Sequence, residues 1–182
     1  LQFAGALVQF MARYTPLPRG MALYFLVLCA VPLFGSFITE PAAMTLAALM
    51  LRDTLFSREV STKLKYVTLG VLFVNISIGG TLTPFAAPPV LMVAAKWGFD
   101  MQFMLATFGW KAAIAVFVNA TAVTFLFAKE LRKLEYSSKS PYSGVPLSMV
   151  FGHLLFLLAI VLFAYHPAAF IAVLLLFMGV AT

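Results

Sequence analysis

Positions 32–41 read Pro32-Leu33-Phe34-Gly35-Ser36-Phe37-Ile38-Thr39-Glu40-Pro41, in the middle of a largely apolar stretch, 20–51, that lies between two basic segments. As one continuous helix, those 32 residues would reach about 48 Å, too long for a single membrane span. Two full spans would need about 40 residues. Pro32, Gly35 and Pro41 also interrupt helices. The stretch therefore predicts a re-entrant hairpin over 20–56: one helix enters over 20–37 and a shorter one returns over 42–56. Its tip, Ile38-Thr39-Glu40-Pro41, would lie near the membrane midplane. The alternative, one tilted span followed by an outer loop, would put Arg52, Arg58, Lys63 and Lys65 outside, against the tendency of Lys and Arg to stay in cytoplasmic loops.

Working outward, the composition says the same. Of 182 residues, 63% are hydrophobic and 10% charged, and the mean hydropathy is +1.03. An ordinary soluble domain carries about 25% charged residues. This excludes a soluble globular domain, a disordered chain and a nucleic-acid-binding module, and leaves an all-α polytopic membrane protein. Four uncharged runs, Gly20–Thr39, Tyr66–Ala95, Ala112–Ala128 and Ser140–Thr182, are each long enough to enter a bilayer. They lie throughout the chain, unlike a cleavable signal peptide. The net charge of +6 does not imply nucleic acid here, because ten of the twelve Lys and Arg fall in three stretches: Arg13 and Arg19; Arg52, Arg58, Lys63 and Lys65; Lys129, Arg132, Lys133 and Lys139. All three belong on the cytoplasmic side. Cys29 stands alone and forms no internal disulfide. The chain starts at Leu1 and stops at Thr182 inside an apolar run, which reads as a piece of a longer protein.

A second interruption lies in the stretch 64–98. Its centre, Ser77-Ile78-Gly79-Gly80-Thr81-Leu82-Thr83-Pro84-Phe85-Ala86-Ala87-Pro88-Pro89, holds too many glycines and prolines to continue a helix. Irregular backbone at membrane depth survives only when buried in protein or lining a wet cavity. A broken span follows, with half-helices over 66–78 and 89–98. Lys96 and Trp97 suit the outer interface. A full span over 101–128 leads back inside to a cytoplasmic linker over 129–146. The stretch 147–182 then supplies two further helices, the first ending before His166-Pro167 and the last cut short. Residues 1–19 complete the layout as the end of a preceding helix and an inner loop.

Glu40 is the sharpest chemical signal, as the one carboxylate far from a basic loop or an interface. An ionisable group inside the membrane is costly and is a functional candidate by default. It precedes Pro41, at the start of the returning half-helix, whose N-terminus carries partial positive charge. A carboxylate there suits a site that exchanges a proton for a cation; the alternative is a capping group that only holds the tip. The Gly79–Pro89 bridge is the second constellation, because broken helices expose backbone carbonyls and helix ends to ions. Gly79 and Gly80 allow close approach, Thr81 and Thr83 add hydroxyls, Pro84 keeps the chain unwound, and Asn75 lies one turn before the break. A kink used only for packing is the alternative. Trp110-Lys111 reads as an interfacial pair or an intramembrane cation; His153 and His166 stand alone. Zinc, nucleophile-elbow, phosphate-loop and dinucleotide motifs do not occur, so neither an enzyme nor an ATP-driven pump is expected.

At Gly35-Ser36-Phe37-Ile38-Thr39-Glu40-Pro41-Ala42-Ala43-Met44 and at Gly79–Pro89 the chain resembles the bacterial sodium/proton antiporters of the ion transporter superfamily, which also holds arsenite exporters and dicarboxylate carriers. The resemblance implies an inverted-repeat fold, each repeat having a re-entrant hairpin and a broken helix whose tips meet at the ion site, with about one repeat present. It places the hairpin-tip role on Thr39, Glu40 and Pro41, and the broken-helix role on Gly79, Gly80, Thr81, Thr83 and Pro84. Glu40 and Thr81 become Na⁺ ligands. The tip Thr-Glu-Pro differs from the Ser-Asn-Thr of the dicarboxylate carriers, and an acidic tip suits a cation. The expected function is secondary Na⁺/H⁺ antiport in the bacterial inner membrane, as a multi-pass protein without a cofactor. Its partners would be the lipid bilayer, a small inorganic cation, protons and the second repeat of the same chain, with a homodimer as one arrangement. Transport of another small ion or anion, or a non-transporting role in membrane assembly, are the alternatives.

Overall fold

The computed structural model describes residues 14–134 and 167–181, together with Val8, Met11, Ala12, Phe151, Gly152, Leu155, Phe156 and Ala159. These residues fall into two compact units, one holding 14–134 and the other 167–181. Most of the stretch 147–164, the linker beyond 134, His153 and His166 lie outside the described residues.

The first unit is all helical among its described residues and is built around α1 (Arg19–Gly35). This helix has no polar face: nearly every side chain from Gly20 to Pro32 is buried. A helix apolar all round belongs at the centre of a bundle, and α1 packs against α2 (Glu40–Leu51), α3 (Thr62–Gly79) and α5 (Met101–Leu126). The turn Ser36–Thr39 joins α1 to α2, closed by backbone bonds from Phe37 and Ile38 to Phe34 and Gly35. The two helices touch where Gly35 meets Ala43, so closely that a Cβ at position 35 would stand 2.2 Å from the Ala43 methyl. Only glycine fits there.

Pro32 sits inside α1 and, lacking an N–H, leaves the carbonyl of Leu28 without its helical donor. Asn75 of α3 supplies it: its Nδ2 donates to Leu28 O at 2.8 Å and to Val116 O of α5 at 3.4 Å. Asn119 of α5 in turn donates to Asn75 Oδ1 at 3.0 Å. One buried amide thus ties three helices together.

α3 begins on a double cap. Ser61 accepts from the Leu64 N–H at 3.1 Å, while its own N–H and hydroxyl donate to the two carboxylate oxygens of Glu130 at 3.1 and 3.0 Å. Glu130 lies in the short α6 (Ala128–Leu131), so the start of α3 and the end of α5 share one end of this unit, together with Lys63, Lys65, Lys129, Arg132 and Lys133. At its other end α3 passes into a 3₁₀ turn, Gly80–Leu82, and helix resumes at α4 (Pro88–Trp97). This is the interruption expected over 79–89.

Two features depart from the expected helices. α2 begins at Glu40 and not at 42, because Thr39 caps it and Pro41 falls in its first turn, where a missing N–H costs nothing. Among the described residues two π turns occur, Arg52–Phe56 after α2 and Leu105–Gly109 within α5. In the second unit, α7 (Pro167–Ala181) is an apolar helix whose Phe177 ring meets Phe156 edge to face, with centroids 5.3 Å apart.

The outside of the first unit also carries large apolar side chains. Tyr66, Phe73 and Val74 of α3, Leu91 and Met92 of α4, and Ile114, Phe117 and Phe125 of α5 are exposed. Thr62–Leu82 and Met101–Leu126 are long and apolar enough to cross a membrane.

Candidate functional site

The two interruptions meet. Glu40 opens α2, and its backbone N–H, one of the donors a helix start leaves without a partner, donates to the carbonyl of Ala86 in the bridge at 3.0 Å. Thr83 of the bridge, fully buried, donates its hydroxyl to the carbonyl of Ser36 in the hairpin turn at 2.7 Å. Ser77, in the last turn of α3, donates its hydroxyl to Glu40 Oε1 at 3.0 Å. Gly79 lies against α1, where a Cβ would stand 2.5 Å from the Pro32 carbonyl oxygen. At Gly80 a Cβ would be 3.0 Å from the Ala87 methyl and 3.7 Å from Glu40 Oε2. Small residues at both positions let the backbones close up.

The Glu40 side chain is half-buried and lines an open pocket of about 370 Å³ with Pro41, Met44, Phe73, Ile76, Pro88 and Pro89. The walls are apolar apart from this one carboxylate. The positive end of the α2 dipole lies at the same place.

Each expected site residue has a definite location. Glu40 and Pro41 line the pocket, and Gly80 adjoins the carboxylate. Thr83 and Gly79 bind the bridge to the hairpin from behind. Thr39 accepts from the Ala42 N–H at 3.4 Å as the helix cap, and Thr81 turns its hydroxyl back to Ile78 O at 2.7 Å. Pro84 is half-buried in the bridge. Asn75 is fully buried, and its amide serves Leu28, Val116 and Asn119. Lys111 is exposed, its ammonium 5.4 Å from the centre of the Trp110 ring.

Sequence reasoning passed over Ser77. The signal was its spacing: Phe73, Ile76, Ser77 and Gly80 recur at i, i+3, i+4 and i+7 and share one helix face. Asn75 belongs to the other stripe, with Leu64, Thr68, Leu72 and Gly79, all buried.

Among the described residues no group of three or more His, Cys, Asp or Glu gathers to hold a metal ion. The site offers one carboxylate, one hydroxyl beside it and closely approaching backbone. Compared with known families, residues 1–182 match the family described as "Putative Na+/H+ antiporter". The chain belongs to this antiporter family. No curated protein and no solved structure matches it. Membership makes this a membrane protein of an ion-transport family and points to transport instead of catalysis, in keeping with the two apolar helices.

Proposed function

We propose that this chain forms the cation and proton site of a secondary transporter that exchanges Na⁺ for H⁺ across the bacterial inner membrane. The observation that carries the reading is the meeting of the two helix interruptions at Glu40. An ionisable group inside a membrane protein is retained at a cost of about 2.5–3.5 kcal/mol on insertion scales, and this one faces an open pocket at a helix start.

The mechanism is competition. A carboxylate holds a proton or a cation but not both, so a site that alternately faces the two sides of the membrane moves them in opposite directions. Thr39 and Pro41 hold the turn that presents Glu40, while Gly79, Gly80, Thr81, Thr83 and Pro84 shape the bridge behind it. Asn75 supports the site through packing. In this reading α1 and α2 form a re-entrant hairpin, the chain is about one of two inverted repeats, and the lipid bilayer and the second repeat enclose the pocket. The exposed apolar side chains of α3, α4 and α5 supply the surface for both contacts.

The test is collapse of a pH gradient on adding Na⁺ to inside-out vesicles that carry the full-length protein. Wild type is expected to respond, and Glu40→Gln, present at equal level in the membrane, is expected not to. Equal responses from the two proteins would reduce Glu40 to a cap for the hairpin turn.

A further inference from the structure

Glu40 alone is a poor cation site, because a cation stripped of water needs several oxygens around it. The pocket walls around Glu40 carry no other polar side chain. A second oxygen stands beside it nonetheless. Hydroxyls within helices usually turn back to the carbonyl four residues earlier, and Thr45, Thr54, Ser57, Thr68 and Thr124 all do so here. Ser77 instead reaches across to a different helix and donates to Glu40 Oε1 at 3.0 Å. Thr39 and Thr81, the hydroxyls that the sequence favours, bond to Ala42 N–H and Ile78 O and not to Glu40.

We infer that Ser77 is the second oxygen ligand of the cation at Glu40 and sets the affinity for it. This rests on the reading of Glu40 as the cation site. The Ser77 hydroxyl has one hydrogen and two lone pairs. Without an ion it donates to the carboxylate; with that hydrogen turned away it presents an electron pair to an ion held between the two oxygens. Gly80, one turn on along the same face, keeps the floor open: a Cβ there would lie 3.7 Å from Glu40 Oε2. The ligand class is a small, hard monovalent cation that prefers oxygen donors.

The experiment measures initial antiport rate against Na⁺ concentration at fixed pH, using full-length protein in inside-out vesicles. The variants are Ser77→Ala, Ser77→Cys, Ser77→Thr and Glu40→Gln. Losing one ligand to a charged centre corresponds to about a tenfold change in binding. Ser77→Ala is therefore expected to raise the half-saturating Na⁺ concentration about tenfold, with the maximal rate within about twofold of wild type. Ser77→Cys, similar in shape but with a soft sulfur, is expected to follow Ala, and Ser77→Thr to retain affinity. A purely structural role would lower the maximal rate and leave half-saturation in place, and that result overturns the inference. So does unchanged half-saturation in both Ala and Cys variants. Should Ala fail to reach the membrane, the Cys and Thr pair decides alone. If Glu40→Gln transports like wild type, the reading of Glu40 itself fails. If it is inactive while Ser77→Ala and Ser77→Cys behave as wild type, only the role of Ser77 is lost.

Discussion

Asn75 shows how a single residue repairs the cost of another. Pro32 deprives Leu28 of its helical donor, and the Asn75 amide fills the gap from a neighbouring helix at 2.8 Å. Asn75→Leu keeps the branched outline of the side chain but leaves the Leu28 carbonyl and the Asn119 amide short of a partner. It is expected to cost about 1–2 kcal/mol, seen as a lower midpoint of thermal unfolding in detergent. Pro32→Ala restores an N–H at position 32, so in that background the same change should cost measurably less. A double-mutant cycle reads this difference, and a cost identical in both backgrounds would separate the two residues. Asn75 was legible as polar and placed one turn before the break. Its partner was not, because which face of α3 meets α1 depends on packing between helices, which one sequence does not encode locally. Ser77 was obscured for the same reason, although its spacing from Gly80 was on view.

At the scale of elements, glycine position decides what a methyl group does. Gly79 packs on Pro32 with a Cβ distance of 2.5 Å to a backbone oxygen, whereas Gly70, in the middle of α3, has nothing within 4 Å. Gly79→Ala should therefore force α1 and α3 apart at a cost of about 1–3 kcal/mol. Gly70→Ala should be neutral or stabilise by up to about 1 kcal/mol, through helix propensity alone. Unfolding midpoints of the two variants, measured side by side, are expected to move in opposite directions or only for Gly79. The two helix breaks were readable from proline and glycine, which act on the backbone directly: the turn at Ser36–Thr39 and the bridge after Gly79 appear where those residues predict. The start of α2 was misplaced by two residues, because Thr39 rather than Pro41 sets it. The π turns at Arg52–Phe56 and Leu105–Gly109 were not readable, since a widened turn has no residue type of its own.

For the whole molecule, the basic residues make the proposed orientation testable. Glu130 holds Ser61 with both carboxylate oxygens, which gathers the start of α3 and the end of α5 at one end of the first unit. Lys96, in the last turn of α4, lies past the break. If the α1–α2 hairpin is re-entrant, cysteines introduced by Arg58→Cys and Lys133→Cys in a Cys29→Ser background should react with an impermeant thiol reagent only from the cytoplasmic face. Lys96→Cys should react only from the other face. Labelling of position 58 from outside would replace the hairpin with a plain span. The composition alone made a membrane protein legible, and the exposed Phe73, Met92 and Phe117 agree with it.

The central claim is that Na⁺ and H⁺ compete for Glu40, and its most direct test is the dependence of half-saturating Na⁺ on pH in inside-out vesicles of the full-length protein. In the acid range where protons occupy the site, competition for one group raises the half-saturating concentration about tenfold per pH unit, by mass action. The maximal rate at saturating Na⁺ is expected to stay the same. A half-saturating concentration that does not move with pH, while the maximal rate falls, would contradict the claim and place the proton on a group other than the one that holds the cation.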